Sequence, residues 1–311
     1  MSVVQGGVVA ALDVGGTTIK GLLVDAGGGR TVECVRPSPA RAGAHAVIRA
    51  VRAVLADLVA GTEDDVRAVG FAVPGIVSDG VARYAAHLGW RDVPASAFVD
   101  NILPGVPVVL ENDARCAAHG DRVLGATRGV DDGCVVVIGT GVGAFLVSGG
   151  RSVVGARASA GELGHIPVVA NGEACACGQH GCLNAYASAA SLSRRYAALT
   201  GTPLPAEEIV ASANRDAAAR RVWQDAIDTL AIACTTLTMI QDPAVIAFAG
   251  GLSGAGNALL TPLTEAVTTA LAWRPPPRLV ISPLGGWAGR YGVALHAWEA
   301  AGVPVDASTW A

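Results

Sequence analysis

Hydrophobic positions fall along the chain in short runs separated by glycine turns, and these runs alternate with segments of helical spacing. Val8 to Val14 is a β-rich apolar run that Gly15 and Gly16 break. Ile19 to Asp25 resumes it, and after Gly27-Gly28-Gly29 a third run covers Thr31 to Val35, so the opening predicts an antiparallel meander. Val47, Ile48, Val51, Val54, Leu55, Leu58 and Val59 recur at helical spacing over residues 44 to 59, and Val66 to Val73 is a further strand ending at Pro74-Gly75. Val106 to Leu110 reads as a buried strand, followed by Glu111-Asn112-Asp113 and an alanine-rich helical stretch, Ala114 to Val123, which puts the polar trio at a strand-to-helix junction. The second half repeats the opening weakly: Cys134 to Ile138, a Gly139-Thr140-Gly141 turn, then Val142 to Val147. A polar, Cys- and Gly-rich insertion at residues 155 to 182 carries too little apolar surface to hold itself together unaided. Helices are expected over 184 to 199, 215 to 240, 256 to 271 and 288 to 300, strands over Val245 to Ala249 and Arg278 to Ile281, with Pro275-Pro276-Pro277 as a stiff connector. No Pro/Ser-rich linker divides the halves, so the boundary, placed near residue 112, is expected to be a hinge, with residues 1 to 112 and 113 to 287 as the two α/β domains.

Composition narrows the class. A chain of 311 residues is long enough for two domains, each with its own core. It is 51% hydrophobic and only 15% charged, which raises the question of a membrane. The longest apolar run, Cys134 to Val147, is interrupted by three glycines and is shorter than the roughly 20 residues of a spanning helix. A formal net charge of −4, with no block of like charge, argues against nucleic acid as a partner. The N-terminal stretch shows no basic region ahead of an apolar core, so no leader is expected and the cytoplasm is the expected compartment. Seven cysteines make an odd number, and Cys175, Cys177 and Cys182 are spaced for a metal rather than for disulfides.

Asp13 to Lys20, DVGGTTIK, sets an acid at a strand end before two glycines and two hydroxyls. Such a turn leaves N–H groups open to a phosphate, with Thr17 and Thr18 as further donors, and Asp13 faces the same place, where it could hold Mg²⁺ through water. An ordinary glycine-turned hairpin is the plain alternative. Gly139-Thr140-Gly141-Val142-Gly143 offers the same chemistry again, and Gly250-Gly251-Leu252-Ser253, at the end of the Val245 strand, is a third glycine turn suited to a base or ribose. Three strand-end turns together favour a nucleotide over coincidence.

The motifs in their order resemble the ROK family (repressor, open reading frame, kinase) of the actin-like ATPase superfamily, near its bacterial glucokinases. They are DVGGTTIK, VPGIV at Val73 to Val77, LGWRDVP at Leu88 to Pro94, ENDA at Glu111 to Ala114, GTGVG at Gly139 to Gly143, GELGH at Gly161 to His165, CACGQHGC at Cys175 to Cys182 and AGGLS at Ala249 to Ser253. The resemblance implies two actin-like (ribonuclease H-like) α/β domains around a central cleft, the first completed by the helix at 288 to 300, and transfer of the ATP γ-phosphoryl group to the primary hydroxyl of a sugar. It implies ATP and Mg²⁺ as cofactors, and a homodimer. Asp113 is the implied base, since a carboxylate in reach of a sugar hydroxyl can take its proton; capping the following helix is the other thing an Asp does there. Asn112, Glu162 and His165 are implied to contact ring hydroxyls, with Gly75 beside them; Lys20, at the start of a strand, could approach the phosphates or simply be solvated. Glu162 and His165, three apart, would share a helical face. The implied zinc set is His165, Cys175, Cys177 and Cys182, a closed structural site that leaves the second nitrogen of His165 facing the sugar; His180 is not among the expected ligands. Cys34, Cys116, Cys134 and Cys234 read as small buried hydrophobes.

Three departures from the family pattern bear on substrate. Asn184 stands where the kinases carry a glutamate, so a group that accepts two hydrogen bonds becomes one acceptor and one donor. His87 replaces an amide in the segment before Gly89-Trp90, and Ala144 shortens the second glycine turn. Ala144 is expected to be neutral packing. The first two changes set a glucose-like hexose against an amino-deoxy hexose such as kanosamine, an N-acyl hexosamine or a C7-cyclitol. A DNA-binding repressor is disfavoured because only twelve residues precede Asp13, and an inactive sugar sensor because Asp13, Asp113 and both glycine hairpins are present.

Overall fold

Every one of the first five residues of the opening strand is buried, which means that both of its faces are covered. In the computed structural model, which describes residues 6–157 and 159–310, that strand lies at the centre of a five-stranded sheet. Met1 to Gln5 of the stretch read as leaderless, Ala158 of the insertion, and Ala311 lie outside the described residues. The chain divides into two compact units, one reaching to Leu124 and joined by Trp287 onward, the other spanning Gly125–Gly286.

The first unit holds β1 (Val8–Val14), β2 (Thr18–Asp25), β3 (Arg30–Pro37), helix α1 (Ala44–Ala60), β4 (Val66–Val73), β5 (Ile76–Ser78), β6 (Val81–Ala85), β7 (Trp90–Pro94), α2 (Ser96–Val99), β8 (Val108–Asn112) and α3 (Asp113–Leu124). Its main sheet runs β3-β2-β1-β4-β8, with β1 antiparallel to β2 and parallel to β4. Val8, Ala10, Leu12 and Val14 join the core that α1 closes with Val47, Val51, Val54, Leu55 and Leu58. The alternate residues of β1 point the other way. A small three-stranded sheet, β5-β6-β7, follows β4; it was not expected from the sequence, because its strands are short and Ile76, Arg83 and Tyr84 are exposed, which hides the alternation.

The second unit holds β9 (Gly133–Ile138), β10 (Val142–Ser148), β11 (Arg151–Ser152), α4 (Asn184–Ala187), α5 (Ala189–Thr200), α6 (Ala206–Ser212), α7 (Ala217–Gln241), β12 (Val245–Ala249), α8 (Asn257–Ala270) and β13 (Arg278–Ile281). Its sheet runs β11-β10-β9-β12-β13 and buries Val136, Ile138, Ile246 and Phe248 against α7 and α8. The single helix expected over 184 to 199 is two. Ser188 adopts an extended backbone, and its hydroxyl caps α5 by accepting from the Ser191 N–H.

The chain then returns to the first unit as α9 (Ala288–Ala300), which covers the second face of the sheet: a Cβ on Gly70, the partner of Ala11 across β1 and β4, would meet Val293 at 2.7 Å. The boundary expected near residue 112 falls instead after Leu124. The reason is that α3 packs along α9, with Gly120 and Gly292 removing the side chains that would hold the two backbones apart.

Candidate functional site

Asp13 sits at the penultimate position of β1, directly across from Lys20 on β2. Its carboxyl is pushed up by burial, a shift that the charges of Lys20 and Arg290 partly offset. The turn that follows is a tight hairpin in which the Gly15 N–H donates to the Thr18 carbonyl at 2.9 Å, and Thr17 at its tip is exposed. His87 lies against this hairpin: a Cβ on Gly16 would be 3.5 Å from the Cβ of His87. His87 therefore borders the glycine turn.

At the end of β8, Asn112 pairs with Val73 at the end of β4. Its Nδ2 donates to the Gly75 carbonyl at 2.8 Å while its Oδ1 accepts from the Arg115 N–H at 3.0 Å, so one amide ties the Pro74-Gly75 turn to the start of α3. Gly75 has φ of 96°, and a Cβ there would strike the Tyr84 carbonyl at 2.1 Å, which leaves glycine as the residue that fits. Glu111 accepts from Arg115 Nε at 2.8 Å and from the Asn112 N–H at 2.6 Å, and Arg115 in turn donates to the Val77 carbonyl at 2.9 Å. Asp113 opens α3, half-buried, with Oδ1 accepting from its neighbour's Ala114 N–H at 2.8 Å. The buried Cys116 thiol is pushed up by burial first and then by the charges of Glu111, Asp113 and Asp13, with Arg115 opposing them. A Cβ on Gly289, in the first turn of α9, would be 3.9 Å from Asp13 Oδ2 and 4.0 Å from the Asp113 carbonyl. Sequence reasoning missed Arg290, buried beneath the ring of Trp287 at 3.7 Å and charge-coupled to Asp13, because α9 lies far from β1 in the chain.

In the second unit, the Gly139 N–H donates to the Gly141 carbonyl at 2.8 Å, closing the turn between β9 and β10. The next N–H, that of Val142, donates to Asn184 Oδ1 at 2.6 Å. The acceptor oxygen of Asn184 is thus engaged by the turn, and its Nδ2 lies so near Gly164 that a Cβ there would be 2.4 Å away. The segment carrying Glu162 hangs from β10: the Ala144 N–H donates to the Gly161 carbonyl at 2.7 Å, and a Cβ on Gly161 would strike the Ala144 carbonyl at 1.9 Å. Leu163–His165 is a single 3-10 turn, with Glu162 exposed and its Oε2 3.9 Å from His165 Nε2.

The other ring nitrogen, Nδ1 of His165, is 3.9 Å from Cys175 Sγ, and Cys177 Sγ is 3.7 Å from Cys182 Sγ. One donor atom from each of the four lies within 4.8 Å of the others. Sulfurs bound to zinc at about 2.3 Å are about 3.8 Å apart on a tetrahedron, so these spacings fit that ion. His180 instead faces the Gly172 carbonyl at 3.2 Å. The loop is anchored by Glu173, which pairs with Arg194 at 2.6 Å and Arg195 at 2.7 Å on α5.

Gly250, with φ of 87°, turns the chain out of β12 against Ile138. The residues after it, Gly251 and Leu252, line a cavity of about 610 Å³ together with Val210, Ala213, Asn214 and Trp223. The helix residues of this wall carry no motif and were not legible as a site.

A family model described as ROK family matches residues 9–298. The chain belongs to the ROK family. It is 30% identical to a glucokinase of Streptomyces coelicolor over 94% of this chain and 98% of that one. It is 31% identical to an N-acetylgalactosamine kinase of Shewanella over 60% of this chain and 63% of that one. Among solved structures, a ROK family glucokinase from Streptomyces griseus in complex with glucose and AMPPNP is similar at TM-score 0.83 and 30% identity, covering 94% of this chain and 100% of that one. This ROK protein has the actin-like ATPase fold and is an ATP-dependent sugar kinase. No helix among its described residues is long and apolar enough to cross a membrane.

Proposed function

We propose that this kinase transfers the γ-phosphoryl group of ATP to the primary, C6-type hydroxyl of glucose or a glucose-like hexose. The observation that carries the reading is Asp113 at the β8–α3 junction, beside an Asn112 whose amide is fixed at both ends, in a chain similar to glucokinases over nearly its whole length. Asp113 accepts the proton of the sugar hydroxyl as its oxygen attacks the γ-phosphorus in line and ADP leaves. Asn112, Glu162 and the Nε2 side of His165 orient ring hydroxyls, with Gly75 giving the sugar close access. The Gly15–Thr18 and Gly139–Gly143 turns bind phosphate oxygens through backbone N–H groups and the hydroxyls of Thr17, Thr18 and Thr140, and Lys20 adds positive charge. The cavity lined by Gly251, Leu252 and Trp223 takes the adenosine end of the nucleotide.

Asp13 is the residue that would hold Mg²⁺ through its waters, and the ion would supply charge neutralisation at the phosphates. His165, Cys175, Cys177 and Cys182 would hold a structural zinc, which fixes the ring of His165 and lends folding free energy to a loop poor in apolar residues.

A modified sugar is the second reading, and Asn184 favours it. With one lone pair of its oxygen taken by the Val142 N–H, what Asn184 adds relative to a carboxylate is the Nδ2 donor, and a donor suits a substrate that presents an acceptor such as an acyl carbonyl. The deciding experiment is ADP release with Mg-ATP across glucose, mannose, N-acetyl hexosamines, kanosamine and a C7-cyclitol. Glucose or mannose foremost supports the first reading, a modified sugar foremost replaces it, and binding without ADP release refutes both.

A further inference from the structure

Helices α3 and α9 approach to backbone contact. A Cβ on Gly292 would fall 1.6 Å from the Cys116 carbonyl oxygen, and one on Gly120 would fall 2.7 Å from that of Ala288. This closeness brings together side chains from distant parts of the sequence that play no part in the phosphoryl transfer described above. The rings of His119 on α3 and His296 on α9 stack with centroids 4.0 Å apart and planes at 12°. Glu299, one turn beyond His296, reaches both: Oε1 lies 3.2 Å from His119 Nε2 and Oε2 lies 3.0 Å from His296 Nδ1.

Two features of the trio point to a ligand. One donor atom from each residue lies within 4.8 Å of the other two. His119 Nε2 is shielded from water, and the group that faces it is the Glu299 carboxylate, with Oε1 at 3.2 Å. Two ring nitrogens sharing one carboxylate are the donor types that a metal ion takes together.

We propose that His119, His296 and Glu299 form a binding site for a divalent transition-metal ion of the zinc class. Two imidazole nitrogens and one carboxylate oxygen form a donor set for Zn²⁺, Co²⁺ or Ni²⁺, whereas Mg²⁺ and Ca²⁺ prefer oxygen throughout. Bonds of about 2.0–2.2 Å set neighbouring ligand atoms about 3.3–3.5 Å apart on a tetrahedron. The two rings now face different oxygens of the Glu299 carboxylate, at 3.2 and 3.0 Å; on binding, the stacked rings turn so that their in-plane lone pairs converge on the ion and one carboxylate oxygen joins them. Glu299, with its side chain 59% exposed, forms the solvent side, by which the ion enters and where a water completes its shell. The ion pins α3 to α9. Because α3 opens with Asp113 and the first turn of α9 packs against Asp13 of β1, the clamp holds the helix that carries Asp113 to the helix that borders Asp13.

The test is titration of the purified, chelator-treated full chain with Co²⁺ and, separately, Zn²⁺, comparing the parent protein with His296→Gln and Glu299→Gln. Cobalt on the cysteine loop gives thiolate charge-transfer absorption, so the two sites are read apart. The parent is expected to take up an equivalent of Co²⁺ that adds d–d bands without thiolate absorption. That equivalent is lost in His296→Gln and bound at least about tenfold more weakly in Glu299→Gln, and Zn²⁺ raises the melting temperature of the parent more than that of either variant. Glu299→Gln, changing an exposed side chain, keeps the test decisive where His296→Gln fails to fold. Equal uptake and equal affinity in the parent and Glu299→Gln would overturn the proposal.

Discussion

Asn184→Ala is the substitution that separates two roles for one residue. In the structure the Asn184 oxygen accepts from the Val142 N–H at 2.6 Å, at the start of β10 where the second glycine turn ends, and Val142 is 5% exposed. Truncation leaves that N–H with no partner and little water, at a cost of about 1–3 kcal/mol. If the loss falls on the geometry of the turn, the KM for ATP rises roughly 5- to 150-fold. Gly164→Ala should act in the same direction, because its Cβ would lie 2.4 Å from Asn184 Nδ2 and displace the amide. The assay is steady-state ADP release with ATP varied at saturating sugar, then with sugar varied at saturating ATP. An Asn184→Ala enzyme with an unchanged KM for ATP and a raised KM for sugar alone would refute the bracing role and return Asn184 to the sugar.

Gly292→Ala should destabilise the protein by about 1–3 kcal/mol or more, since its Cβ would overlap the Cys116 carbonyl and force α3 from α9; Gly254→Ala, with open space around it, should not, and thermal melting compares the two. Metal analysis should find about one zinc per chain on the cysteine loop, lost in Cys177→Ser, and a fully active protein whose cysteine loop holds no metal would contradict that assignment. Asp216 caps α7 by accepting from the Ala218 and Ala219 N–H groups, and its carboxyl is held low by the Tyr196 hydroxyl first and these N–H groups next. A depressed carboxylate contributes stability that is complete above its unfolded pKa of about 3.9 and fades as pH falls through the folded value. The melting-temperature gap between the parent and Asp216→Asn should therefore be open at neutral pH and narrow in acid; a gap independent of pH would show that the charge contributes nothing.

Much of the scaffold was written in the chain's own pattern. The apolar runs of β1, β4 and β12 have both faces buried and so lack alternation, yet their glycine terminators delimited them. The helical spacing of Val47, Val51, Leu55 and Leu58 marked α1 because only one face is covered. The sheet at residues 76 to 94 was not legible, because exposed residues interrupt its periodicity, and neither was the cap at Ser188 that divides α4 from α5. The residues of the candidate site could be picked out in the sequence where they are local in the chain, as in the glycine turns, the Asn112-Asp113 pair and the cysteine loop. They could not be where the fold joins distant segments: Arg290 beside Asp13, His119 against His296, and the backbone bond that engages the Asn184 oxygen all depend on tertiary packing.

If Asp113 takes the proton of a sugar hydroxyl, removing its charge must slow turnover without unfolding the protein. ADP release with Mg-ATP and the best sugar of the panel is measured for the parent and for Asp113→Asn. Asp113→Asn keeps the shape of the side chain at the start of α3, so the melting temperature should be unchanged and turnover lower by about 10²- to 10⁴-fold. A variant that folds normally and turns over at nearly the parent rate would contradict that role for Asp113.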